Sequence, residues 1–578
     1  MARLTRVQPA RVWKKRPHIE AANRIRWGSS LSFLGILALA AALRIVFFSG
    51  ITASDPLGYI QYAYQIAQGT YELEAHHYAT RFAVLLPVAL SFKIFGVSQF
   101  SALLWPCLCS LLTFYLVIKI GALLGGLAAG LLAGAFLAVL PLDIYLSTNL
   151  FPETVLTAMV AASVYCYYRG HQHENPSRGA FWLLASGAAL WLAFSAKMLG
   201  AFLVPAFVAH TGLTDRRWKS LLWVLVPLGL LVLFELTHYR LASGDWLFRM
   251  HAVASAHESS VAVATANQGI FDRLFKAYAR ISLLPTADFG MLFPFVWIGV
   301  AYTIVQRRGL ILLLWFFSLF AYINFGTSNL RKLVFLPVGG RYLHPVIVPG
   351  LILLAIAIVD VWRVVGRRSV IDSPRGASVR FLTRTALTLA VASLMLFGVA
   401  YTYVSHGKSY VDLTAREVLE AGEFLRSNPG GPVYTDSRSL KMLHFAFGFQ
   451  GLERLRRLPA AGQAKPAVYL EKLEPGSLLL LNWREIRKEG PYARLSPSAA
   501  EILHKLAGSS CVRRRATFWR EPARLYYRLA SHPLFASAVI RDTRREYFGP
   551  KGGRRGTEIF SVGSRPLRAD LRNCFPLQ

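Results

Sequence analysis

The chain has 578 residues, of which 54% are hydrophobic and only 16% are charged. A soluble protein of this length needs more charge to cover its surface, so the composition excludes that class and indicates an integral membrane protein. The formal net charge of +33 does not indicate a nucleic-acid partner, because basic loops that meet anionic lipid head groups account for much of it.

The first predicted element is a basic tail, residues 1–27, followed by an apolar run at about 29–49 that is long enough to cross a bilayer. A cleaved signal peptide is the alternative, but the length of the run and the further apolar runs favour a retained helix. With it, about eleven membrane-spanning helices are predicted, the others at roughly 98–118, 122–141, 153–168, 180–195, 198–212, 220–237, 290–305, 309–325, 342–362 and 382–403.

Lysine and arginine in the short loops fall on one side of the membrane if these helices alternate, and that side is predicted to be the cytoplasm. The first loop, the long loop 238–289, the loop 326–341 and all residues after about 404 then lie outside. The apolar run 78–95 contains Arg81 and Pro87, and counting it as a span would break this alternation. We therefore predict an amphipathic helix along the outer surface there.

In the C-terminal region, residues 404–578, the long apolar runs stop, and alternating helix and strand patterns predict a small extracytoplasmic α/β domain. Residues 28–403 are predicted to form the membrane domain. Thr414 with Glu417 predicts a helix start, and Pro497 predicts another. Strands are predicted at 433–434 and 478–481. Whether Cys511 and Cys574 pair is left open by the sequence.

Ionisable residues at the outer ends of spans are the candidate functional groups, because such groups are costly at membrane depth. Asp55 follows the first span and precedes Tyr59 and Tyr62 at helical spacing. An ordinary exposed loop acid is the alternative for Asp55, and the tyrosines can simply pack. Glu153 opens a descending helix, where an acid would also complement the helix dipole.

Candidate phosphate contacts are cationic or donate hydrogen bonds from the entrance to a span. They are Lys197, which interrupts an apolar run, Arg341 with Tyr342, and Arg44 in the first span. Snorkelling is the alternative for Lys197 and Arg44. The pairs His76–His77 and His251–His257 have no diagnostic metal-ligand spacing, so no definite cofactor is predicted and a divalent metal ion is left open.

The order of these features resembles the GT-C fold glycosyltransferases, in particular the bacterial branch related to protein mannosyltransferases and lipid A aminoarabinose transferases. It rests on the acid of the first loop, the surface helix ending in Phe95-Gly96-Val97-Ser98, the Pro-acid turn at Glu153, the Ala-Lys interruption at Lys197 and the Gly-Arg-Tyr-Leu entrance at Arg341. It covers roughly residues 28–403. Pro56 and Phe82-Ala83 depart from the Asp-Glu and Pro-Pro pairs of many relatives, which argues against a close aminoarabinose transferase.

The resemblance implies a GT-C-like transferase of the bacterial inner membrane, with a cytoplasmic N-terminus, that moves a hexose or pentose from a polyprenyl phosphate. The acceptor would be a lipid, glycan or protein at the outer face. By position, Asp55 and Glu153 become the catalytic acids. Lys197, Arg341, Tyr342 and Arg44 become donor phosphate contacts, and the residues expected to line the substrate are Tyr59, Tyr62, His76, His77 and Arg81.

The alternative function is a transporter or flippase of lipid-linked saccharides, which would share the apolar helices and the phosphate-binding cations. The sequence has no evident internal repeat and no matching pair of helices broken by glycine or proline, which argues against it.

Overall fold

The computed structural model describes residues 27–52, 54–214, 217–265, 279–327, 336, 339–366, 374–407, 410–458, 473–486, 497–519, 524–535 and 556–562. The chain divides into two compact units. The first consists of Met1–Phe48, Tyr71–Pro87 and Trp105–Ser405, and the second of Ser49–Thr70, Val88–Leu104 and His406–Gln578. Two segments inside the predicted membrane domain, 49–70 and 88–104, therefore belong to the second unit.

The described part of the chain up to residue 402 is helical. In chain order the helices are α1 (Trp27–Val46), α2 (Asp55–Gln68), α3 (Phe82–Phe95), α4 (Gln99–Gly125), α5 (Leu127–Ala138), α6 (Pro141–Ser147), α7 (Pro152–Gln172), α8 (Pro176–Ala196), α9 (Val204–Leu213), α10 (Trp218–Ser243), α11 (Phe248–Thr265), α12 (Ala279–Leu283), α13 (Leu292–Gln306), α14 (Leu310–Phe325), α15 (His344–Gly366) and α16 (Pro374–Thr402). Short 3₁₀ helices at Met198–Leu203 and Gly340–Leu343 precede α9 and α15.

Five helices of the described residues are long and apolar enough to cross a membrane: α4, α8, α10, and the segments Gly340–Val365 and Ser378–Ser405. The predicted span 122–141 corresponds to the end of α4 and to α5, and α6 begins at its last residue. Helices α5 and α6 are bent by 69° at the break before Pro141 and make a sixth span only as a pair. Each of the other predicted spans coincides with a helix, several of them shorter than 18 residues. The chain is a multi-pass membrane protein, and the number eleven stays a prediction.

Helix α3 occupies most of the run predicted to lie on the outer surface. Its 14 residues rise about 21 Å, which is less than the roughly 30 Å of a bilayer's hydrocarbon core. Pro87 lies inside the helix. The surface location stays a prediction, because α13 and α14 coincide with predicted spans and are only one and two residues longer.

Glycines allow the helices of the first unit to cross closely. A Cβ added at Gly121 would lie 2.7 Å from the Cα of Gly130, where α4 passes α5. At Gly187 an added Cβ would overlap the carbonyl oxygen of Val224, where α8 passes α10. Small residues of this kind are typical of helix packing in lipid, because backbone contact replaces the missing hydrophobic drive.

The second unit contains α2 and the described part of the C-terminal region. That region adds α17 (Tyr410–Ser427), β1 (Val433–Thr435), α18 (Ser437–Ala446), β2 (Leu455–Arg457), β3 (Leu478–Asn482), α19 (Trp483–Ile486), α20 (Pro497–Ala507), β4 (Val512–Phe518), α21 (Arg524–Ser531) and β5 (Thr557–Val562). The sheet order is β2-β1-β3-β5-β4, with β1 parallel to β2 and β3, and β5 antiparallel to β3 and β4.

The strands and the helix at Pro497 form where the sequence predicts them, but α17 begins at Tyr410, so Thr414 is not its N-cap. The core between β3, β5 and α20 is apolar and includes Leu479, Trp483 and Phe560, all at most 1% exposed. Tyr64 of α2 stacks on Phe449 at 4.5 Å between ring centroids. Cys511 is disulfide-bonded, and Cys574 lies outside the described residues.

Candidate active site

Glu153 is the centre of a charged cluster in the first unit. Phe151 in extended backbone and Pro152 start α7, which places Glu153 in the first turn. The side chain is 2% exposed, and its Oε1 accepts a hydrogen bond from Nζ of Lys197 at 2.8 Å. Nε of Arg341 lies 3.7 Å from the same oxygen. The buried Oε2 has no hydrogen-bond partner among the described residues, which is unusual and suggests that a donor from water or ligand meets it.

Lys197 and Arg341, the two cations near Glu153, both lie in short segments that are not α-helical. Lys197 separates α8 from the 3₁₀ helix at Met198 and has extended backbone. Arg341 lies in the 3₁₀ helix that leads into α15. Lys197 Nζ lies 3.8 Å from the ring centroid of Tyr342, and the Arg341 guanidinium lies 5.3 Å from the same ring. Their side chains are 17% and 34% exposed, so both remain accessible to a ligand.

Arg81 adds a third cation to this group. It stands immediately before α3, is half-buried, and its charge acts on both Glu153 and Lys197. Three cations around one carboxylate leave an excess of positive charge in a largely desolvated place. Such a site favours an anion, and arginine in particular matches the oxygens of a phosphate. Glu153, Lys197, Arg341, Tyr342 and Arg81 are called the cation cluster below.

A buried network holds the segments that carry Lys197 and Arg81. Arg249 donates to the carbonyl oxygens of Phe194 and Ser195 at 2.6 and 3.1 Å, at the end of α8, and pairs with Glu235 at 2.7 Å. The Ser195 hydroxyl accepts the backbone N–H of Ala83 at 3.3 Å, two residues after Arg81. Such supporting contacts fix functional groups in one geometry.

The structure places Arg44, a predicted phosphate contact, in a buried network around Asp143. Its guanidinium pairs with Asp143 of α6, and the same carboxylate accepts from His344 Nε2 at 2.8 Å. The other ring nitrogen of His344 lies 2.9 Å from the hydroxyl of Thr157. Because Asp143 already holds the Arg44 guanidinium, we assign Arg44 to the framework, and its role at the phosphate stays a sequence prediction.

The first-loop residues belong to the second unit. Asp55 is the first residue of α2 and is half-buried, whereas Tyr59 and Tyr62 of the same helix are buried. The predicted convergence of Asp55 with Glu153, Lys197 and Arg341 stays a prediction.

His76 and His77 stack on each other at 4.6 Å between ring centroids and both contact Tyr78. Among the described residues, no group of three or more His, Cys, Asp and Glu side chains is placed to hold a metal ion. His251 instead pairs with the exposed Asp245 at 2.7 Å. The part of the chain that the structure describes therefore gives no support to a metal at these histidines.

Asp288 is a functional candidate that the sequence analysis missed. It lies in the turn between α12 and α13, and its carboxylate packs against the backbone of Gly340, the residue before Arg341. Burial raises its pKa to about 6, while the charge of Arg341 opposes the rise. The signal was present, because Asp288-Phe289-Gly290 ends an external loop just before an apolar run, much as Glu153 opens a predicted helix.

Asp288→Asn should stabilise the protein in a pH-dependent way. A carboxylate whose pKa is raised from 3.8 to about 6 in the fold costs stability once it ionises, by at most about 3 kcal/mol. The cost is absent below about pH 4 and complete above about pH 6. The variant should thus unfold at a higher temperature than the parent at pH 7.5, with no gain at pH 4. An equal gain at both pH values would contradict this account.

Comparison with known proteins places these features in a class. A model of the dolichyl-phosphate-mannose-protein mannosyltransferase family matches residues 83–238, which include Glu153 and Lys197. ArnT from Cupriavidus metallidurans bound to undecaprenyl phosphate aligns with a TM-score of 0.54 and 14% identity, over 84% of this chain and 96% of that one. No curated protein sequence matches the chain.

The Archaeoglobus fulgidus oligosaccharyltransferase, tethered to an acceptor peptide, aligns with a TM-score of 0.52 and 11% identity, over 93% of this chain and 89% of that one. The fold is therefore that of the GT-C membrane glycosyltransferases. The two solved structures show the shared fold, and the matched family model agrees with the resemblance to protein mannosyltransferases and aminoarabinose transferases in the sequence.

Proposed function

We propose that this protein transfers a sugar from a polyprenyl phosphate to a hydroxyl group of a lipid, glycan or protein acceptor at the outer face of the inner membrane. The observation that carries the proposal is the cation cluster: Lys197 and Arg341 converge on the buried Glu153 and stay partly exposed. A relative of the same fold is described with undecaprenyl phosphate bound, which supports a lipid phosphate as the ligand.

The reaction is an inverting displacement. The acceptor oxygen attacks the anomeric carbon on the face opposite the phosphate, and a new C–O bond forms as the bond from that carbon to the phosphate oxygen breaks. The electron pair of the broken bond leaves with the polyprenyl phosphate. The acceptor's proton passes to a carboxylate that acts as general base.

The cation cluster acts on the leaving group. The donor's phosphodiester carries one negative charge, and a second charge develops on the departing oxygen as the bond breaks. Arg341 and Lys197 stabilise this charge because they are fixed before the reaction and lie where water is scarce. Glu153 holds the two cations side by side, which gives it a positioning role within the site.

Asp55 is the proposed base, as the family resemblance implies. Tyr59, Tyr62, His76 and His77 are proposed to line the path of sugar or acceptor. Neither role requires a metal ion. The partly exposed Lys197 and Arg341 of the cation cluster supply positive charge for the phosphate.

The outer face is proposed from the distribution of basic loops and is supported by Cys511. This residue is disulfide-bonded, whereas Cys107, Cys109 and Cys166 of the helical region are free thiols. Disulfides persist outside the cytoplasm, which supports the proposal that the C-terminal domain lies there.

The rival function is a flippase of lipid-linked saccharides, which would bind the same phosphate. Purified protein in vesicles containing labelled undecaprenyl-phosphate-linked sugars and cell-envelope lipids separates the two. Release of undecaprenyl phosphate with label on a new acceptor supports the transferase. Movement of intact donor across the bilayer without cleavage supports the flippase.

Arg341→Gln should weaken donor binding while the protein still folds. It removes one charge-assisted phosphate contact, worth about 1.5–3 kcal/mol, and leaves Glu153 paired with Lys197. The KM for the donor should therefore rise roughly 10- to 100-fold. The matched control is Arg178→Gln, since Arg178 is exposed in the first turn of α8. An unchanged KM in Arg341→Gln would remove this residue from the phosphate site.

A further inference from the structure

Several hydrogen bonds hold the turn that contains Asp288. Thr286 and Gly290 exchange two backbone hydrogen bonds, at 3.2 and 2.8 Å, which close a five-residue loop around it. The carbonyl oxygen of Asp288 accepts the N–H of Leu142 at the start of α6, at 2.8 Å. The hydroxyl of Ser405 donates to the neighbouring Ala287 at 3.3 Å. These contacts hold the backbone at Asp288, and a fixed backbone restricts where its side chain can lie, which is the usual condition of a binding group.

The Asp288 carboxylate lies beside Arg341 of the cation cluster but is not one of the groups proposed to bind the phosphate. A Cβ added at Gly340 would overlap Oδ2 of Asp288, so the glycine makes the room that the carboxylate occupies. Arg341 follows directly and is the charged group that acts on Asp288. No described residue forms an ion pair or hydrogen bond with the Asp288 side chain, in contrast to Glu153, which two cations hold.

Asp288 is partly exposed, so a ligand can reach its carboxylate. A carboxylate accepts hydrogen bonds only, at two oxygens, and a ligand that displaces water from it must supply donors in place of the water. Sugar hydroxyls are suitable donors. In a polyprenyl-phosphate sugar the ring is attached to the phosphate through a single oxygen, so groups next to a residue that grips the phosphate face the ring.

We infer that Asp288 binds the donor's sugar, accepting hydrogen bonds from its ring hydroxyls beside the phosphate held by Arg341. The inference rests on the proposed function and deepens it, because it assigns the discrimination between a sugar-bearing and a bare lipid phosphate to one residue. Glu153 then organises the phosphate end of the donor, and Asp288 its carbohydrate end.

The test compares two lipid probes on purified full-length protein. Binding of bare undecaprenyl phosphate measures the contribution of the cation cluster. Binding of undecaprenyl phosphates that carry a hexose, a pentose or an amino sugar measures the contributions of the cation cluster and of the sugar contacts together. Asp288→Asn should weaken the sugar-bearing lipid that the parent prefers by about 10-fold or more, and change bare lipid binding less than about 2-fold. Equal losses for both probes, no loss for either, or a parent that prefers no sugar-bearing lipid would each overturn the inference.

Two glycine variants give a second measurement that does not alter the carboxylate. Gly340→Ala should displace Asp288 and reproduce the selective loss. Gly339→Ala adds the same methyl group one residue earlier, where it meets only the Tyr342 ring at 3.3 Å, and should preserve the preference. Identical behaviour of the two would count against the inference. Failure of the proposed function would look different, because Arg341→Gln would then leave the binding of both probes unchanged.

Discussion

Asp55→Asn should reduce sugar transfer by about 10²- to 10⁴-fold while leaving donor binding within about 2-fold of the parent. The amide keeps the shape of the side chain but cannot take the acceptor's proton. The measurement is the single-turnover rate with bound labelled donor and saturating acceptor, alongside donor affinity at equilibrium.

The control for Asp55 removes a carboxylate charge elsewhere. Glu174→Gln changes an exposed acid between α7 and α8 and should transfer sugar at the parental rate. A rate for Asp55→Asn within about 10-fold of the parent would reject the base assignment. A large loss of donor affinity would instead make Asp55 a binding residue.

Asp143→Ala should destabilise the protein by about 3–5 kcal/mol, because it leaves the buried Arg44 guanidinium without its counter-charge and deprives His344 of an acceptor. Thermal unfolding in detergent, followed by loss of the monodisperse species, measures the effect.

The control for Asp143 removes both charges together. In Arg44→Met with Asp143→Leu, the apolar side chains fill similar space and no buried charge is left over, while His344 keeps its contact with Thr157. Exchanging a buried ion pair for packed apolar groups is often close to neutral. If the double variant is as unstable as Asp143→Ala, the unpaired charge is not the cause of the loss.

The sequence predicts the helical segments and the charged positions of the cluster for a simple reason. Lys197 and Glu153 interrupt apolar runs, and an ionisable residue in such a place is conspicuous. Their partnership was not predictable, because Glu153 and Lys197 are 44 residues apart and only the packing of α7 with α8 brings them within 2.8 Å. A phosphate contact at Lys197 was predicted from the sequence, whereas its ion pair with Glu153 was not.

Other features were hidden for physical reasons. The bend between α5 and α6 falls at Pro141, where the sequence marks the end of a span but carries no information on the direction of the next helix. The inclusion of 49–70 and 88–104 in the second unit depends on tertiary packing. Asp288 was overlooked because it ends a loop more than 50 residues long by the predicted boundaries, in which any single acid looks ordinary.

The pair of Arg44 and Asp143 also has a consequence for how the protein is made. The two residues are 99 positions apart, so a ribosome adding about 5–20 residues per second takes roughly 5–20 s to deliver the partner. Arg44 lies in the last turn of α1, so until then its charged end can reach the membrane surface. The first helix therefore acquires its buried ion pair only after α6 has emerged, which makes its final packing a late event in the synthesis of the chain.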